Sequence, residues 1–380
     1  MSSTAANGGG GVDGGERWTL VTGGAGFVGS NLVDRLAGEG RRVRILDNLS
    51  RPGVERNAEW LRQRHGDKVE LVCADVRDTA AVKAALRDVE TVFHFAAQVA
   101  VTTSLDDPRE DFQINLGATF ELLEAIRRRR RPPRLFFTST NKVYGALPDV
   151  ELRREGDRWS PVAGEIRRHG VSETRPLDFH SPYGCSKGGA DQYVLDYSRT
   201  LGLETVVFRM SCIYGPRQFG TEDQGWVAHF LLRALAGKPI TLYGDGRQVR
   251  DVLFVEDLVE AFVRAERQMP VVAGQAFNVG GGPGNTLSLL ELLDLVAELT
   301  GRRPEVEHAP ARTGDQRYYV SDTRRLQRLT GWQPRVDVRQ GVGRLLQWLR
   351  QLSAPAVPKP VPVADRRRSE VAVSGLGGLG

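Results

Sequence analysis

The stretch Thr22-Gly-Gly-Ala-Gly-Phe-Val-Gly29 decides the fold of this 380-residue chain. It follows a short apolar run and leads into a segment with helical periodicity. Glycines spaced G-x-x-G-x-x-G between a strand and a helix are typical of a loop that holds a dinucleotide pyrophosphate at a helix N-terminus. We expect Gly23 to permit the tight turn, Gly26 to let the backbone approach the pyrophosphate, and Gly29 to let the helix pack on the strand.

Apolar runs alternate with helical segments after this loop. Short apolar strands separated by helices pair in parallel through right-handed crossovers. We therefore predict an α/β fold, a Rossmann-type doubly wound parallel sheet that binds its ligand at the carboxyl ends of the strands. The strands predicted for this sheet are 18–22, 43–46, 69–73, 91–95 and 135–139.

A carboxylate stands where the second strand ends, 18 positions after Gly29. Asp47 can accept hydrogen bonds from the adenosine ribose hydroxyls there and would repel a 2′-phosphate, so it favours NAD over NADP. Arg51 weakens this preference, because an arginine can accommodate that phosphate. Asp75 and Val76 follow the third strand and are predicted beside the adenine, although Asp75 alone is also compatible with a helix cap.

The pattern changes near residue 209, where the connections become longer and richer in glycine. We expect a smaller mixed α/β C-terminal substrate lobe in this part of the chain. Its strand candidates are 240–243, 252–255 and 276–279, and its helix candidates are 258–267, 287–299 and 342–349. The expected division is a disordered leader at 1–17, an NAD-binding Rossmann domain carrying the catalytic residues at 18–209, a mainly substrate-binding lobe at 210–352 whose chain can cross back into the sheet, and a flexible tail at 353–380.

Composition and charge argue against several classes of protein. The hydrophobic content of 40% and the charged content of 26% are ordinary for a globular chain, and the net charge of +5 is too small to indicate a nucleic-acid partner. No apolar run approaches the roughly 18 residues of a membrane helix. Three scattered cysteines suit neither a disulfide framework nor a zinc site. We predict a cytoplasmic protein with no membrane partner and no metal.

A tyrosine and a lysine stand four positions apart in Ser181-Pro-Tyr-Gly-Cys-Ser-Lys187. On a helix, Tyr183 and Lys187 share one face. A nearby ammonium favours the phenolate and lowers the pKa of a tyrosine, which suits a base that takes a hydroxyl proton while a hydride leaves the same carbon. A hydroxyl partner is expected from the end of the preceding strand. Thr140 is the first choice there and Ser139 is the second.

Together these motifs resemble the extended short-chain dehydrogenase/reductases that modify nucleotide sugars, over residues 18–349. Within that family the chain is similar to a subgroup that inverts C2 of CDP-hexoses. The segments that carry the closer resemblance are 97–104, 139–145, 177–187, 217–219 and 223–226. The wider family often has asparagine where this chain has Cys212, a departure that argues against a plain 4-epimerase.

The resemblance implies a set of binding residues. Arg250 and Arg312 match positions that hold a sugar-nucleotide diphosphate, as guanidinium groups can do bidentately. Other positions implied on the substrate side are Thr140, Trp226, Val227 and Gly244, with core packing as the alternative for Trp226 and Val227. Positions implied around the cofactor, besides the glycines and acids above, are Phe27, Val28, Asn48, Ala96, Ala97, Gln98, Asn115, Tyr183 and Lys187.

The reaction implied by the resemblance is oxidation of the C2 hydroxyl, rotation of the keto sugar and return of the hydride to its other face, with NAD retained throughout. A UDP-sugar 4-epimerase remains an alternative. A 4,6-dehydratase is disfavoured because Asn141 and Lys142 stand where that enzyme needs an acid pair. A non-catalytic NAD-binding protein is disfavoured because Tyr183 and Lys187 are both present. The family resemblance also implies a homo-oligomer formed through 111–128 and 181–201.

Overall fold

The computed structural model describes residues 17–312 and 315–353. The predicted leader and tail, at 1–17 and 353–380, therefore lie outside the described residues except for their innermost position. The strands are β1 (Trp18–Thr22), β2 (Arg42–Asp47), β3 (Val69–Cys73), β4 (Val89–His94), β5 (Arg134–Thr140), β6 (Leu152–Glu155), β7 (Arg158–Pro161), β8 (Thr205–Met210), β9 (Cys212–Tyr214), β10 (Ile240–Tyr243), β11 (Val249–Phe254), β12 (Gln275–Val279), β13 (Thr286–Ser288), β14 (Val306–Ala309) and β15 (Tyr318–Tyr319).

Helices separate most of these strands. They are α1 (Phe27–Gly38), α2 (Val54–His65), α3 (Thr79–Ala85), α4 (Val101–Asp106), α5 (Pro108–Phe112), α6 (Ala118–Arg127), α7 (Gly164–His169), α8 (Ser181–Leu201), α9 (Trp226–Leu235), α10 (Val255–Arg267), α11 (Met269–Val272), α12 (Leu289–Thr300), α13 (Arg324–Thr330) and α14 (Val338–Ser353). A π-helical turn, Gln113–Gly117, joins α5 to α6.

The central sheet confirms the predicted fold class. Its strand order is β12-β8-β5-β4-β1-β2-β3, and every neighbouring pair is parallel. The strand order reverses between β1 and β4, which is where a doubly wound sheet opens its ligand cleft. The apolar runs predict β1 and β3 to the residue and β2, β4 and β5 to within two residues. They do not predict β8.

The core lies on both faces of this sheet, because successive strand residues point to opposite sides. On β5, Phe136 belongs to the face covered by α1 and α10, and Phe137 belongs to the face covered by α6 and α8. Aromatic rings fill the first face, where Phe93 stacks on Phe136 at 4.8 Å and Phe208 meets Phe262 edge-on at 5.0 Å. The carboxyl ends of the strands are thereby held on a rigid base.

The second half of the chain forms a smaller mixed α/β lobe. In it, β11 pairs with β9 and β15 in parallel and with β13 in antiparallel fashion, and β10 pairs with β14. Side chains of α9, α12 and α14 pack into a separate apolar cluster against these strands. Between α11 and β13 the chain passes back to the central sheet and adds β12 at the edge of that sheet.

Across 17–312 and 315–353, no helix is long and apolar enough to cross a membrane.

Candidate active site

A cleft open to solvent, with a cavity volume of about 220 Å³, lies at the carboxyl ends of β1, β2, β3, β4 and β5. The glycine loop forms its floor. Gly23 has φ +67°, and a Cβ there would lie 2.7 Å from the backbone nitrogen of Ala96. A Cβ on Gly29 would lie 2.3 Å from the carbonyl oxygen of Gly23, so α1 can approach β1 only without a side chain. Gly26 has only that same oxygen nearby, at 3.1 Å, and faces the cleft.

Asp47 joins the rim of the cleft to the glycine loop. Its Oδ2 accepts a hydrogen bond from the backbone N–H of Ala25 at 3.0 Å, and its Oδ1 accepts one from Leu49 at 2.9 Å. Burial raises the pKa of Asp47, while these hydrogen bonds and the charge of Arg51 oppose the rise. Arg51 itself donates to the side chain of Gln224 across the mouth of the cleft. The carboxylate therefore shapes the loop as well as the rim.

Asp75 lies at the far end of the cleft beside Asn48, whose Nδ2 donates to Asp75 Oδ2 at 2.9 Å. The Arg77 guanidinium bonds both oxygens of Asp75 at 2.9 Å and holds the pKa of that carboxyl well below its usual range. The cap of α3 is Asp78, which accepts from Ala80 and Ala81. Asp75 is therefore not the helix cap that its position could have indicated.

Most residues predicted around the cofactor do line this cleft. Gln98 and Asn115 do not. The Gln98 side chain folds onto the backbone of Ala100, and its carbonyl oxygen accepts from Asn115 Nδ2 at 2.9 Å. Asn115 is buried behind the loop that follows β4, so both residues brace that loop from behind. Those that line the cleft are Gly23, Gly26, Phe27, Val28, Gly29, Asp47, Asn48, Asp75, Val76, Ala96, Ala97, Tyr183 and Lys187.

Tyr183 and Lys187 both reach the inner end of the cleft from the first turns of α8. The helix start is held there because the backbone N–H of Tyr183 donates to Ser104 Oγ at 3.2 Å. The Lys187 ammonium lies 4.2 Å from the centre of the Phe137 ring. Both side chains are buried, at 9% and 4% exposure.

In the chain without NAD, burial has the largest effect on the pKa values of Tyr183 and Lys187. It raises the pKa of Tyr183 to about 12, against a hydrogen bond with Thr140 that lowers it. Burial also lowers the pKa of Lys187 to about 7. The lowering of the Tyr183 pKa expected from the sequence is therefore not found here, because desolvation disfavours both charged forms.

Two hydroxyls at the end of β5 stand in different environments. The Thr140 hydroxyl accepts from the backbone N–H of Lys142 at 3.2 Å and donates to Asn141 Oδ1 at 3.3 Å, and it lies close enough to Tyr183 to lower the pKa of that phenol. Ser139 lines the cleft, and its buried Oγ has no hydrogen-bond partner within 17–312 and 315–353. Thr140 is thus positioned by the protein, and Ser139 retains its hydrogen-bonding capacity.

Two arginines expected on the substrate side meet carboxylates. Arg250, 7% exposed, donates to Asp315 Oδ1 at 2.6 Å and to the backbone oxygen of Val249 at 2.8 Å. Arg312 lies 3.3 Å from both Glu222 and Asp223. Each guanidinium group can donate two hydrogen bonds to a diphosphate once its ion pair with the carboxylate is broken.

Lys142 and Asp315 were missed as site residues by the sequence reasoning. Lys142 Nζ lies 3.6 Å from Asp315 Oδ1, and burial, with the charge of Arg250, lowers the pKa of Lys142. The Asn141 amide beside it donates to Gln316 Oε1 at 3.4 Å. No sequence signal marked this contact, because Lys142 and Asp315 are far apart in the chain.

Three other predicted substrate positions have different surroundings. Val227 is 2% exposed and packs in the apolar cluster of the smaller lobe, which fits the core-packing alternative for this position. Its place in the first turn of an amphipathic helix, on the apolar face, explains the burial. Trp226 is half-buried and meets Phe230 edge-on at 5.9 Å. Gly244 has φ +76° in the turn after β10.

Comparison with known proteins gives consistent matches. Residues 19–280 match the NAD dependent epimerase/dehydratase family. A CDP-paratose 2-epimerase from Salmonella typhi is 42% identical over 336 residues, which cover 87% of this chain and 98% of the relative. The structure of a Thermus thermophilus UDP-glucose 4-epimerase in complex with NAD superposes with TM-score 0.74 at 35% identity, covering 88% and 99% of the two chains. A Thermotoga maritima UDP-glucose 4-epimerase, solved with UDP-glucose, gives 0.75 at 30% identity over 88% and 99%.

Proposed function

The chain belongs to the NAD-dependent epimerase/dehydratase family, and we propose that it is a nucleotide-sugar epimerase that inverts C2 of a CDP-hexose. CDP-paratose, giving CDP-tyvelose, and CDP-glucose, giving CDP-mannose, are the proposed substrates. The observation that carries a redox-type epimerase is that Tyr183 and Lys187 line the inner end of a glycine-floored cleft, with Thr140 beside Tyr183. The similarity to CDP-paratose 2-epimerase supports C2 and CDP.

The cofactor is NAD, and the residues of the cleft fit it. Because Gly26 has no side chain, the loop backbone is exposed to the cleft there. The Asp47 carboxylate occupies the rim where a ribose would lie. The orphan hydroxyl of Ser139 offers a further polar contact at the inner end. When bound in this cleft, NAD would supply reversible hydride transfer, so a turnover would consume no oxidant. The chain itself supplies binding, orientation and proton transfer.

Proton transfer is assigned to Tyr183. Its phenolic oxygen takes the proton of the C2 hydroxyl and later returns it, while the Thr140 hydroxyl orients the reacting oxygen. The Lys187 ammonium favours the phenolate by its charge. Because Tyr183 has a pKa of about 12 in the chain alone, the proposed reaction requires that positive charge to remain beside it.

The sugar nucleotide is assigned to the side of the cleft formed by the smaller lobe. Arg250 and Arg312 bind the diphosphate, exchanging their bonds with Asp315 and Glu222 for bonds to phosphate oxygens. We accordingly assign cofactor binding and proton transfer mainly to 18–209 and substrate binding mainly to 210–352.

The residues after Thr140 argue against a 4,6-dehydratase. Elimination across C5 and C6 needs a carboxylic acid beside the hydroxyl, and Asn141 and Lys142 occupy those places. A ketone at C4 would acidify the hydrogens at C3 and C5 but not at C2. Inversion at C2 is therefore most direct through oxidation at C2 itself.

We also propose a cytoplasmic homo-oligomer. Large apolar side chains are exposed on α5, α6 and α8, with Phe112 at 53%, Phe120 at 36% and Leu201 at 46% exposure, and a second copy of this surface would cover them. All three cysteines are free thiols, as in a reducing compartment. Analytical ultracentrifugation of the chain and of Phe112→Ser tests the association: a monomeric wild type would refute it.

A direct assay tests the reaction. The purified enzyme with NAD is incubated with CDP-paratose, CDP-glucose, UDP-glucose and UDP-galactose, and the C2 and C4 configurations are read by NMR. Inversion at C2 of a CDP-sugar is the expected result. Inversion of UDP-glucose at C4, with both CDP-sugars unchanged at C2, would replace the proposal with a UDP-sugar 4-epimerase, the activity that names the two structural neighbours.

A further inference from the structure

Lys187 is a buried cation, and its neighbours raise the question of which group balances its charge. An uncompensated ammonium in a protein interior is strongly unfavourable, so buried charges are paired. The charged and titratable groups that face Lys187 come from four elements: Asp191 and Tyr183 on α8, Asp111 on α5, His94 on β4 and, behind Asp191, Arg209 on β8.

Asp191 is already committed to another cation. Both of its oxygens bond to Arg209, Oδ2 to Nε and Oδ1 to Nη2, each at 2.9 Å. Arg209 is 4% exposed and Asp191 is fully buried, so the two form a closed and neutral unit. Asp191 attracts Lys187, but its charge is balanced by a guanidinium that cannot lose its proton.

His94 supplies no negative charge either. Its two ring nitrogens face the hydroxyls of Thr22 at 2.7 Å and Thr119 at 3.1 Å. Burial, with the charge of Lys187, lowers the pKa of His94 to about 3, so the ring is neutral at physiological pH. Within the described ranges, one carboxylate facing Lys187 is then left without a cation of its own.

That carboxylate is Asp111, which is fully buried beneath α8. Its Oδ1 accepts from Asn115 Nδ2 at 2.8 Å, and its buried Oδ2 has no hydrogen-bond partner in the described part of the chain. Asn115 is in turn fixed by the carbonyl of Gln98 and by its place in the π-helical turn. α5, which carries Asp111, packs against α8, and the charge of Asp111 raises the pKa of both Lys187 and Tyr183.

We propose that Asp111 is the counterion of Lys187 and a positioning residue of the active site, whose carboxylate holds the ammonium charged beside Tyr183. The buried set then contains Lys187 and Arg209 as cations and Asp111 and Asp191 as anions, and is neutral. The assignment rests on the proposed function only in that the charge serves proton transfer by Tyr183. Oδ2, which has no hydrogen-bond partner in the described ranges, is available for this interaction.

Asp111→Asn tests the proposal because it removes the charge and keeps an oxygen that can accept from Asn115. The chain has six lysines, so their ε-carbons can be followed by 13C NMR in the NAD-loaded protein, with Lys187 assigned through Lys187→Arg. We expect the pKa of Lys187 to fall by about one unit or more in Asp111→Asn. Glu110→Gln, which removes an exposed charge from the same helix, is the matched control and leaves the titration of Lys187 unchanged.

The pH profile of turnover gives a second measurement. If Asp111→Asn loses the Lys187 ammonium at a lower pH, its kcat declines on the alkaline side of the profile at a pH that is lower by the same amount. Asp111→Glu restores the carboxylate and returns this decline to the wild-type pH. If Lys187 titrates alike in wild type and Asp111→Asn, Asp111 is not its counterion. The NMR titration needs no substrate, so a failure of the proposed C2 epimerisation would leave this result standing.

Wild-type protein decides the matter if Asp111→Asn does not fold. The side-chain carboxyl of Asp111 is then observed by 13C NMR after aspartate labelling. An ionised carboxylate at pH 7 is the expected result, because hydrogen bonds from Ser186 and Asn115 and the charge of Lys187 oppose the rise in the Asp111 pKa that burial causes. A neutral carboxylic acid at pH 7 overturns the proposal.

Discussion

The Asp47 carboxylate accepts a hydrogen bond from the backbone N–H of Ala25 at 3.0 Å, which ties the end of β2 to the middle of the glycine loop. The residue expected to select the cofactor thus also shapes the loop that holds it. A carboxylate that bonds backbone N–H groups contributes more than a neutral acceptor, about 1.5–3 kcal/mol. Asp47 accepts two such hydrogen bonds, one from Ala25 and one from Leu49.

We predict that Asp47→Ala weakens NAD binding by about 10- to 100-fold, the equivalent of that free energy. The loop loses its support at the same time as the rim loses its acceptor. Isothermal titration with NAD measures the effect, and Asp67→Asn, which changes an exposed acid just before β3, is the control. Unchanged affinity in Asp47→Ala would show that the carboxylate neither shapes the loop nor binds the ribose.

Two glycines of the loop should respond differently to alanine. In Gly29→Ala the new Cβ would be forced to 2.3 Å from the Gly23 carbonyl oxygen, a backbone atom that cannot move aside. We expect Gly29→Ala to lower the free energy of unfolding by about 3 kcal/mol or more, as overpacking does in rigid interiors. Urea denaturation measures this.

Gly26→Ala meets only one atom, at 3.1 Å, so the fold should tolerate it. Its methyl group faces the cleft, and we predict a loss of NAD affinity without a comparable loss of stability. Paired measurements of urea midpoint and NAD dissociation constant separate the two variants. Equal destabilisation by both substitutions would contradict the distinct roles of these glycines.

Tyr183→Phe should lower kcat by about a factor of 10² to 10⁴, the range for loss of a general acid–base group. Tyr193→Phe, an exposed tyrosine on the same helix, should keep full activity. NMR of the sugar product measures both rates, and the NAD content of each preparation checks that the cleft is intact. A fully active Tyr183→Phe would transfer the proton-transfer role to another residue.

Lys187 should cost the enzyme stability. The lysine is protonated to about pH 10.5 in the unfolded chain and to about 7 in the folded chain, because burial lowers its pKa. Between these values the unfolded chain holds more protons, so this contribution to stability rises with pH. With NAD removed, we expect Lys187→Met to be inactive yet more stable, by up to about 4 kcal/mol at pH 7 and about 2 kcal/mol at pH 9.

Urea denaturation of both proteins at the two pH values tests this. The gain in Lys187→Met must shrink as the pH rises. A gain that is independent of pH would mean that burial does not lower the pKa of Lys187 in the folded chain without NAD.

The sequence by itself determined the fold class and most of the cofactor cleft. Local patterns are sufficient for these features, because apolar runs bounded by glycines define strands and the glycine spacing is read directly from neighbours in the chain. Tyr183 and Lys187 share a helix face for the same reason. The strand β8 escaped prediction although it is buried on both faces, since its end merged with the change in pattern near residue 209.

Only the tertiary structure decided which distant groups meet. By its sequence Val227 was compatible with the substrate site or with core packing, and the packing of α9 places it in the apolar cluster of the smaller lobe. Gln98 and Asn115 support the loop after β4 from behind instead of lining the cleft. Burial, which no local pattern encodes, reversed the expected effect on Tyr183. Long-range packing also brings Lys142 into contact with Asp315 and α5 into contact with α8. These contacts set the charges around the reacting groups.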